Sequence, residues 1–589
     1  MIVTPSDGGG TDGSGACANG QWSCMPGSQI ARQCDGRGGF RAMVDCSAMG
    51  RSCINNLGCG VCSPGARQCK SGDPNTTQEC ASDGSGWVDG ATCNAAAGET
   101  CMGGVCRGRC SDLGSSYLGC EYWPTITSNS VLDNGFFFSA VVANPNTYDV
   151  NVRVEGGALT SPRERVIAAG AVEAINLPWV PQLSNNDPRM CPASGCEGRS
   201  ARVPGGAFHL TSNGPVAVYQ FNPLQFAKVM NASRQSDFSF SNDASLLMPQ
   251  GVLSRQYIVV APPNERFVTP DPLDNDAWAG AFVAIVGVQP EGTNNVTVRL
   301  TAAVQDPANP ARTIGPGEVS FQIDRGEVVQ LVGAPRAGDL TGTLINAAGP
   351  VAVFAGHDCA RIPSQNPACD HVEEQLFPTT TWGRTYAVTP FRDRPTQANH
   401  QIRIVAQRDG VMLSFDGIPA PADCTRMLNQ GQFCQFETQT PFQVTGTQPI
   451  LVAQFMRGLG SMAACACNGS TCPMSPACVG DPAMVLEVPT DQYRSNYNFL
   501  IPSSYQQNYI NVTAPRGAMI MLDGNMLMAT PINVGANLVM YHLPVMPGQH
   551  SIRAMTDLER FGLKVYGVAS FTSYAFPGGL DLAPISPPG

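Results

Sequence analysis

The sequence predicts an all-β fold: tandem, related β-sandwich-like modules behind an N-terminal arm that is disulfide-rich and dominated by loops. Three observations predict it. An apolar strand recurs, as Pro215-Val216-Ala217-Val218-Tyr219-Gln220-Phe221, as Val351 to Ala355 after Pro350, and as Pro449-Ile450-Leu451-Val452-Ala453-Gln454-Phe455. Pro249, Pro378 and Pro489 each stand eight positions before a tyrosine (Tyr257, Tyr386, Tyr497), and a further proline follows each tyrosine by four or five residues. Three matches at one spacing indicate an internal repeat. The third observation is a doubled ladder of cysteines near the start.

That ladder defines the arm, residues 17–117, behind a Gly/Ser/Asp-rich tether over residues 1–16. Cysteines 17, 24, 34, 46, 53, 59 and 62 have gaps of 7, 10, 12, 7, 6 and 3; from Cys62 through 69, 80, 93, 101, 106 and 110 the gaps are 7, 11, 13, 8, 5 and 4. The two units, 17–62 and 62–110, agree step for step within one residue. Phe40 and Trp87 fall at comparable places before the fourth cysteine of each. Few other apolar side chains are present, so cross-links must supply what a core cannot. Zinc is the competing reading for Cys59-Gly-Val-Cys62, but no second CxxC stands at finger spacing and the arm has no histidine.

From about residue 118 the pattern changes to alternating apolar strands. Phe136 to Ala143, a turn at Asn144-Pro145-Asn146, and Val150 to Val154 read as a hairpin; equivalents stand at 281–303, 401–417 and 509–524. Each is followed by a Gly/Pro-rich stretch and then the recurring apolar strand, whose fourth copy, Gly562-Leu563-Lys564-Val565-Tyr566, is degenerate. This gives one β region, 118–580, of four modules at about 118–245, 246–370, 371–480 and 481–580. After three of the apolar strands the chain makes an excursion, over residues 222–248, 356–377 and 456–488. Equivalent modules would send these loops out at equivalent ends, and long loops on a rigid β scaffold are where binding usually sits.

Composition bounds the function. The net charge is −11 and the pI near 5.1, so little is available to neutralise phosphates, which excludes nucleic acid as a partner. The 24 cysteines fall into local groups of fourteen, two, two, two and four, all even, as a disulfide framework requires. Outside the arm the candidate disulfide cysteines are Cys191 and Cys196, Cys359 and Cys369, Cys424 and Cys434, and Cys465, Cys467, Cys472 and Cys478. An oxidising location follows, extracellular or on the outer cell surface. The N-terminal stretch has no apolar signal core, which points to a removed or uncalled leader; a start of this composition also reads as the tether behind a lipid anchor. No apolar run reaches the length of a transmembrane helix.

The densest chemical cluster is His357-Asp358 with Asp370-His371, flanking Cys359 and Cys369. A disulfide there would draw the two His–Asp pairs together, and imidazole with carboxylate suits a divalent metal. Against that, the acids can cap turns and the histidines can make local hydrogen bonds. His371-Val372-Glu373-Glu374 lacks the histidine spacing of a zincin helix, and no nucleophile elbow, phosphate loop or dinucleotide fingerprint is present. The reading is of no catalytic residue, no cofactor and no metal, with His357, Asp358, Asp370 and His371 as the metal candidates if one is bound. The binding candidates are the excursion loops, flanked by Phe221, His357, Asp358, Asp370, His371 and Asp481.

Several stretches together resemble the IgG-Fc-binding protein N-terminal domain family, known from animal mucin-associated proteins and myxobacterial surface proteins. They are Cys120-Glu121-Tyr122-Trp123-Pro124, residues 215–223, Ser241-Asn242-Asp243-Ala244-Ser245, residues 356–386, residues 480–505, and 573–580. The arm resembles cysteine-rich repeats that precede such domains in myxobacterial proteins, carried by residues 62–69 and 101–110. The resemblance implies an extracellular binding or adhesive role and carries no Fc-contact residue onto a position here. The reading is of a binding or adhesion protein that recognises an extracellular glycan or glycoprotein through disulfide-held loops between the β modules. An extracellular hydrolase or metal enzyme centred on His357, Asp358, Asp370 and His371 is the alternative, and a structural surface spacer the second alternative.

Overall fold

The computed structural model describes residues 18–73, 75–95, 98–111, 113–130, 132, 135–185, 198–229, 236–239, 241–266, 278–335, 338–366, 369–392, 399–458, 479–556 and 558–587. The tether, Cys191, Cys196, Cys465, Cys467, Cys472 and Cys478 lie outside these residues. The described chain is all-β in class, with strands joined by turns and almost no helix, and it divides into two compact units, Met1–Asp112 and Leu113–Gly589. No helix among the described residues is long and apolar enough to cross a membrane.

In the first unit one motif occurs twice. A three-stranded antiparallel sheet (Trp22–Cys24, Ile30–Cys34, Phe40–Asp45) is followed by a hairpin (Ser52–Ile54 with Gly58–Gly60). The second copy is Arg67–Cys69, Thr76–Cys80 and Trp87–Thr92, followed by Glu99–Met102 with Val105–Gly108. The bridges repeat too. Cys24–Cys53 corresponds to Cys69–Cys101, and Cys46–Cys59 to Cys93–Cys106. Cys62 pairs with Cys80, and Cys34, which stands where Cys80 stands in the other copy, is itself disulfide-bonded. Cys59 and Cys62 thus point into different bridges, and the CxxC is a junction between units. Each bridge contributes on the order of 2–4 kcal/mol by restricting the unfolded chain, which is what so thin a core requires.

In the second unit the same strand plan occurs four times. The recurring apolar strand is central to each copy. In the first module Phe208–Phe221 pairs on one side with Phe138–Ala143, itself paired with Val172–Leu177, and on the other with Ala244–Leu247. The corresponding sheets are Val328–Val332, Ala281–Gly287, Leu344–Ala360, Asp370–Gln375; then Phe433–Thr438, His400–Ala406, Ile450–Phe455, Met484–Leu486; then Leu538–Pro544, Gln507–Pro515, Gly562–Ala569, Thr572–Pro577. A second sheet packs on each and makes a sandwich. In the first two modules one strand, of 14 and 17 residues, is long enough to run through both sheets. In the last two the same path is broken, into Phe442–Gly446 with Ile450–Phe455 and Gly548–Ala554 with Gly562–Ala569. The degenerate fourth copy therefore keeps its place in the fold.

The excursions return as the innermost strand of the sheet they left. Asp370–Gln375 pairs with Leu344–Ala360, and Met484–Leu486 with Ile450–Phe455. The four innermost strands, Ala244–Leu247, Asp370–Gln375, Met484–Leu486 and Thr572–Pro577, pack against one another in that cyclic order about a common axis. Four sheets that share this order of four strands, two of them with a fifth at the outer edge (Ala201–Val203 and Ile532–Val534), surround the axis as a propeller-like ring. Its ends meet where the Tyr117 N–H donates to Leu580 O at 3.2 Å and the Arg494 guanidinium lies over the Tyr117 ring.

The Pro-x7-Tyr repeat has a structural cause. Pro249, Pro378 and Pro489 each precede one turn of 3₁₀ helix, at Gln250–Val252, Thr379–Thr381 and Thr490–Gln492. Proline holds the extended conformation that enters such a turn. The tyrosine hydroxyl then accepts from a backbone N–H three residues earlier and donates to a carbonyl at the start of the recurring strand. Tyr257 joins Ser254 N (2.9 Å) to Val351 O (2.8 Å), Tyr386 joins Gly383 N (3.3 Å) to Ile450 O (2.7 Å), and Tyr497 joins Arg494 N (2.9 Å) to Phe561 O. Tyr122, donating to Val216 O at 2.6 Å, is the fourth member. Each 3₁₀ turn packs on the corner strand of the preceding module, the one that carries its tyrosine (Gly119–Tyr122, Ser254–Ile258 and Thr385–Val388 in turn), and at Gly383 the approach is so close that a Cβ would lie 2.4 Å from Pro489 Cβ.

Removing one corner hydroxyl strands a buried N–H and leaves a carbonyl short of a donor. Tyr386→Phe is expected to lower stability by about 1–3 kcal/mol in denaturant unfolding with the fold retained; a loss within error of zero would show that the corner is held by ring packing alone.

Candidate functional site

The axis is lined by polar side chains, contrary to the usual rule for strands buried on both faces. Asp370–Gln375 (Asp-His-Val-Glu-Glu-Gln) reads as a polar loop, yet the structure makes it a strand with every residue buried. The reason is that each polar side chain there reaches a partner in a neighbouring module through at least one atom, with Asp370 Oδ1 and His371 Nδ1 left over.

Asp243 is the hub. Its carboxylate is fully buried, and it accepts one backbone N–H from each of the four innermost strands: Ala244 N (2.9 Å) and Ala575 N (3.1 Å) on Oδ1, Glu373 N (3.1 Å) and Met484 N (3.0 Å) on Oδ2. Burial pushes its pKa well above the carboxylate range, and the four N–H donors oppose that. A second tier lies beside it. Ser245 Oγ accepts from Gln375 N (2.7 Å) and donates to Glu374 Oε2 (2.8 Å), while Glu374 Oε1 accepts from Leu486 N (3.2 Å).

The residues singled out from sequence stand around this hub, and Phe221, His357, Asp358, Asp370, His371 and Asp481 are all buried. The bridge between Cys359 and Cys369 closes the hairpin that carries four of them, and Cys424 is bridged to Cys434. Their functional groups nevertheless diverge. Asp358 accepts from Ser128 Oγ (2.9 Å), Ser130 N (2.7 Å) and Ser130 Oγ (2.5 Å), fastening the first module to the second. Asp370 Oδ2 accepts from Ser573 N at 3.3 Å in the fourth module, and burial, with the Asp481 charge adding, holds its pKa well above the ordinary carboxylate value. His371 stacks on Phe282 and shares Glu373, Thr127 and Asn222 in a network that also takes in Gln220. His357 Nδ1 accepts from Cys359 N at 3.1 Å. Phe221 packs against Tyr574 and Phe576. Among the described residues no group of three or more His, Cys, Asp or Glu side chains could hold a metal ion. The expected His–Asp convergence is thus replaced by ties that run from module to module. Asp243, Ser245, Glu373 and Glu374 carry the larger share of those ties. Their sequence signal, two polar runs each just before a strand-ending proline, is hard to tell from a surface loop.

The described parts of the three excursions gather at one end of the axis. Gly458 N donates to Ile362 O (2.7 Å) and Asn366 Nδ2 to Gly458 O (2.8 Å), joining the second to the third. Thr572 Oγ1 donates to Asn242 Oδ1 (3.1 Å) and Gly480 N to Ala569 O (2.9 Å), joining the first and third to the fourth module. There the chain makes only a tight turn, with Phe571 at φ 57°. Ser364 and Gln365 are exposed inside the loop closed by Cys359 and Cys369.

Two outcomes test this arrangement. Asp243→Asn puts an amide N–H₂ against backbone donors, and is expected to cost about 3 kcal/mol or more in thermal or denaturant unfolding; a cost below about 1 kcal/mol would remove Asp243 from the centre of the scheme. Burial pushes the pKa of His357 down to about 3 from an ordinary 6.5. Its folded value lies below its unfolded one, so as pH falls past about 6.5 the unfolded chain takes up a proton that the folded chain refuses, and stability drops from there toward pH 3. His357→Asn, which keeps an acceptor for Cys359 N, is expected to flatten that limb by up to one proton in a pH series of unfolding free energies; an unchanged slope would sink the assignment.

The human IgGFc-binding protein (Homo sapiens) is 26% identical over 222 residues, 37% of this chain and 4% of that protein's length. Among solved structures, an anti-sigma factor domain-containing protein from Clostridium clariflavum aligns with 58% of this chain and 92% of its own at 10% identity, with a TM-score of 0.10, too slight a likeness to bear on the fold. The family described as IgGFc binding protein matches residues 243–567, from the hub carboxylate to the recurring strand of the fourth module. With more than half of its length matched in this way, the chain belongs to the IgGFc-binding protein family.

Proposed function

We propose that this chain is an extracellular or outer-surface binding and adhesion protein that recognises a glycan or glycoprotein through the loops at the excursion end of the ring. The observation that carries the reading is the gathering of the described parts of three long excursions at one end of a scaffold whose centre is tied by buried hydrogen bonds. Loops held this way lose little entropy when a partner orders them, which leaves more of the contact energy for binding. The disulfides in both units support an oxidising location, since such bridges persist outside the cytosol. The name of the human relative, IgGFc-binding protein, supports an extracellular protein among the partners. A lipid anchor ahead of the arm would fit the Gly/Ser/Asp-rich start.

The test is binding of the full chain, produced with its disulfides formed, to a printed glycan array and to immobilised human IgG Fc and a mucin glycoprotein. Ser364→Arg combined with Gln365→Arg places two bulky charges on the exposed excursion loop. At least a tenfold loss of affinity for whichever probe binds is expected. Binding unchanged by that pair, or retained by the arm alone, would place recognition elsewhere.

A further inference from the structure

The chain has three lysines, and one of them, Lys564, is buried between the third and fourth modules. Its Nζ lies 2.5 Å from Glu487 Oε1, 2.7 Å from Thr389 O and 3.1 Å from Gln454 Oε1. Lys564 and Gln454 sit on the recurring strands of adjacent modules, and Glu487 directly follows the innermost strand of the third. An ordinary buried ion pair accounts for the lysine and the glutamate. It does not account for the glutamine, whose buried Nε2 has no hydrogen-bond partner. At the same position in the first module, the Gln220 amide nitrogen is fully used, donating to Glu373 Oε1 (2.9 Å) and Thr125 O (3.1 Å).

We propose that Lys564, Gln454 and Glu487 form an intramolecular isopeptide site, in which Lys564 Nζ becomes acylated by the Gln454 side chain. The carbonyl oxygen at 3.1 Å puts the electrophilic Cδ one bond further on, and both groups are held by packed strands, so the reaction has the proximity of an intramolecular acyl transfer. One proton moves along the 2.5 Å contact from the ammonium to the Glu487 carboxylate, giving a neutral amine and a neutral acid. Burial favours that transfer: desolvation pushes the Lys564 pKa down and the Glu487 pKa up, against their mutual attraction. The amine then attacks Cδ and a C–N bond forms. The Glu487 acid protonates the amide nitrogen as its C–N bond breaks, and takes back the proton shed by Nζ. Ammonia leaves, no oxidant or reductant is involved, and the unpartnered Nε2 is the atom expelled. The Phe391 ring lies 5.1 Å from Nζ, and an adjoining cavity of about 20 Å³ is large enough for one small molecule such as the released ammonia.

The test is the mass of the full chain, folded natively and then reduced and denatured, with tryptic peptide mapping. The expected mass is lighter than the linear sequence by one ammonia. A branched peptide should join the segments holding Gln454 and Lys564, with no tryptic cleavage after Lys564. Lys564→Arg and Glu487→Gln should each restore the linear mass, with circular dichroism confirming that the variants fold. A native chain of linear mass whose Lys564 is cleaved normally overturns the proposal without recourse to any variant. A chain lighter by one water, branched at Glu487, would overturn Gln454 as the acyl donor.

Discussion

The Asp243 carboxylate fixes the geometry on which the second unit depends. A carboxyl group buried in a dry interior is costly, and only dense hydrogen bonding offsets the cost. Here the four donors come from four modules separated by more than three hundred residues of chain. No module can satisfy the group alone, and none can leave without stranding it. The inner strands are consequently free to be polar, because what they need at the axis is hydrogen-bonding partners from their neighbours. The same logic places Asp358, Glu374, Asp370 and His371: each is a buried group whose partner belongs to another module. Cohesion between modules is therefore directional, fixing register as well as proximity.

Much of the architecture was legible in the chain. The recurring apolar strand, the Pro-x7-Tyr spacing and the cysteine ladder all correspond to repeated structure, because apolar alternation, proline geometry and loop closure are local constraints. The fourth corner tyrosine, Tyr122, was not legible, since Gly114 stands where the proline would be. The innermost strand Asp370–Gln375 was hidden for a deeper reason. Its five polar residues argue for solvent by every local rule, and only a ring of four modules turns them inward. His357, Asp358, Asp370 and His371 were singled out for the right chemistry, a cluster of titratable groups, but their partners came from residues 128–130, 222 and 573, which no spacing links to them.

In the arm, sequence spacing marked the repeat but left the pairing open, and the structure shows the same crossed pattern in both units. The two units of the chain thus rest on different physics. The arm depends on covalent bonds formed under oxidising conditions, the ring on apolar strands and a shared polar centre. The ring is also uneven in a useful way. Three of its excursions are long and the fourth is a tight turn at Phe571, so the loop-bearing end has a single orientation.

The closing contact between Tyr117 and Leu580 has a mechanical consequence. Chain entering and leaving the ring does so at adjacent points on one seam. Tension on the two flanks acts first across that seam, where Tyr117, Arg494 and Asp581 meet, while the hub and the loop end lie off the line of force. Under drag the ring would stretch at its fastening before its axis or its loop end changed shape.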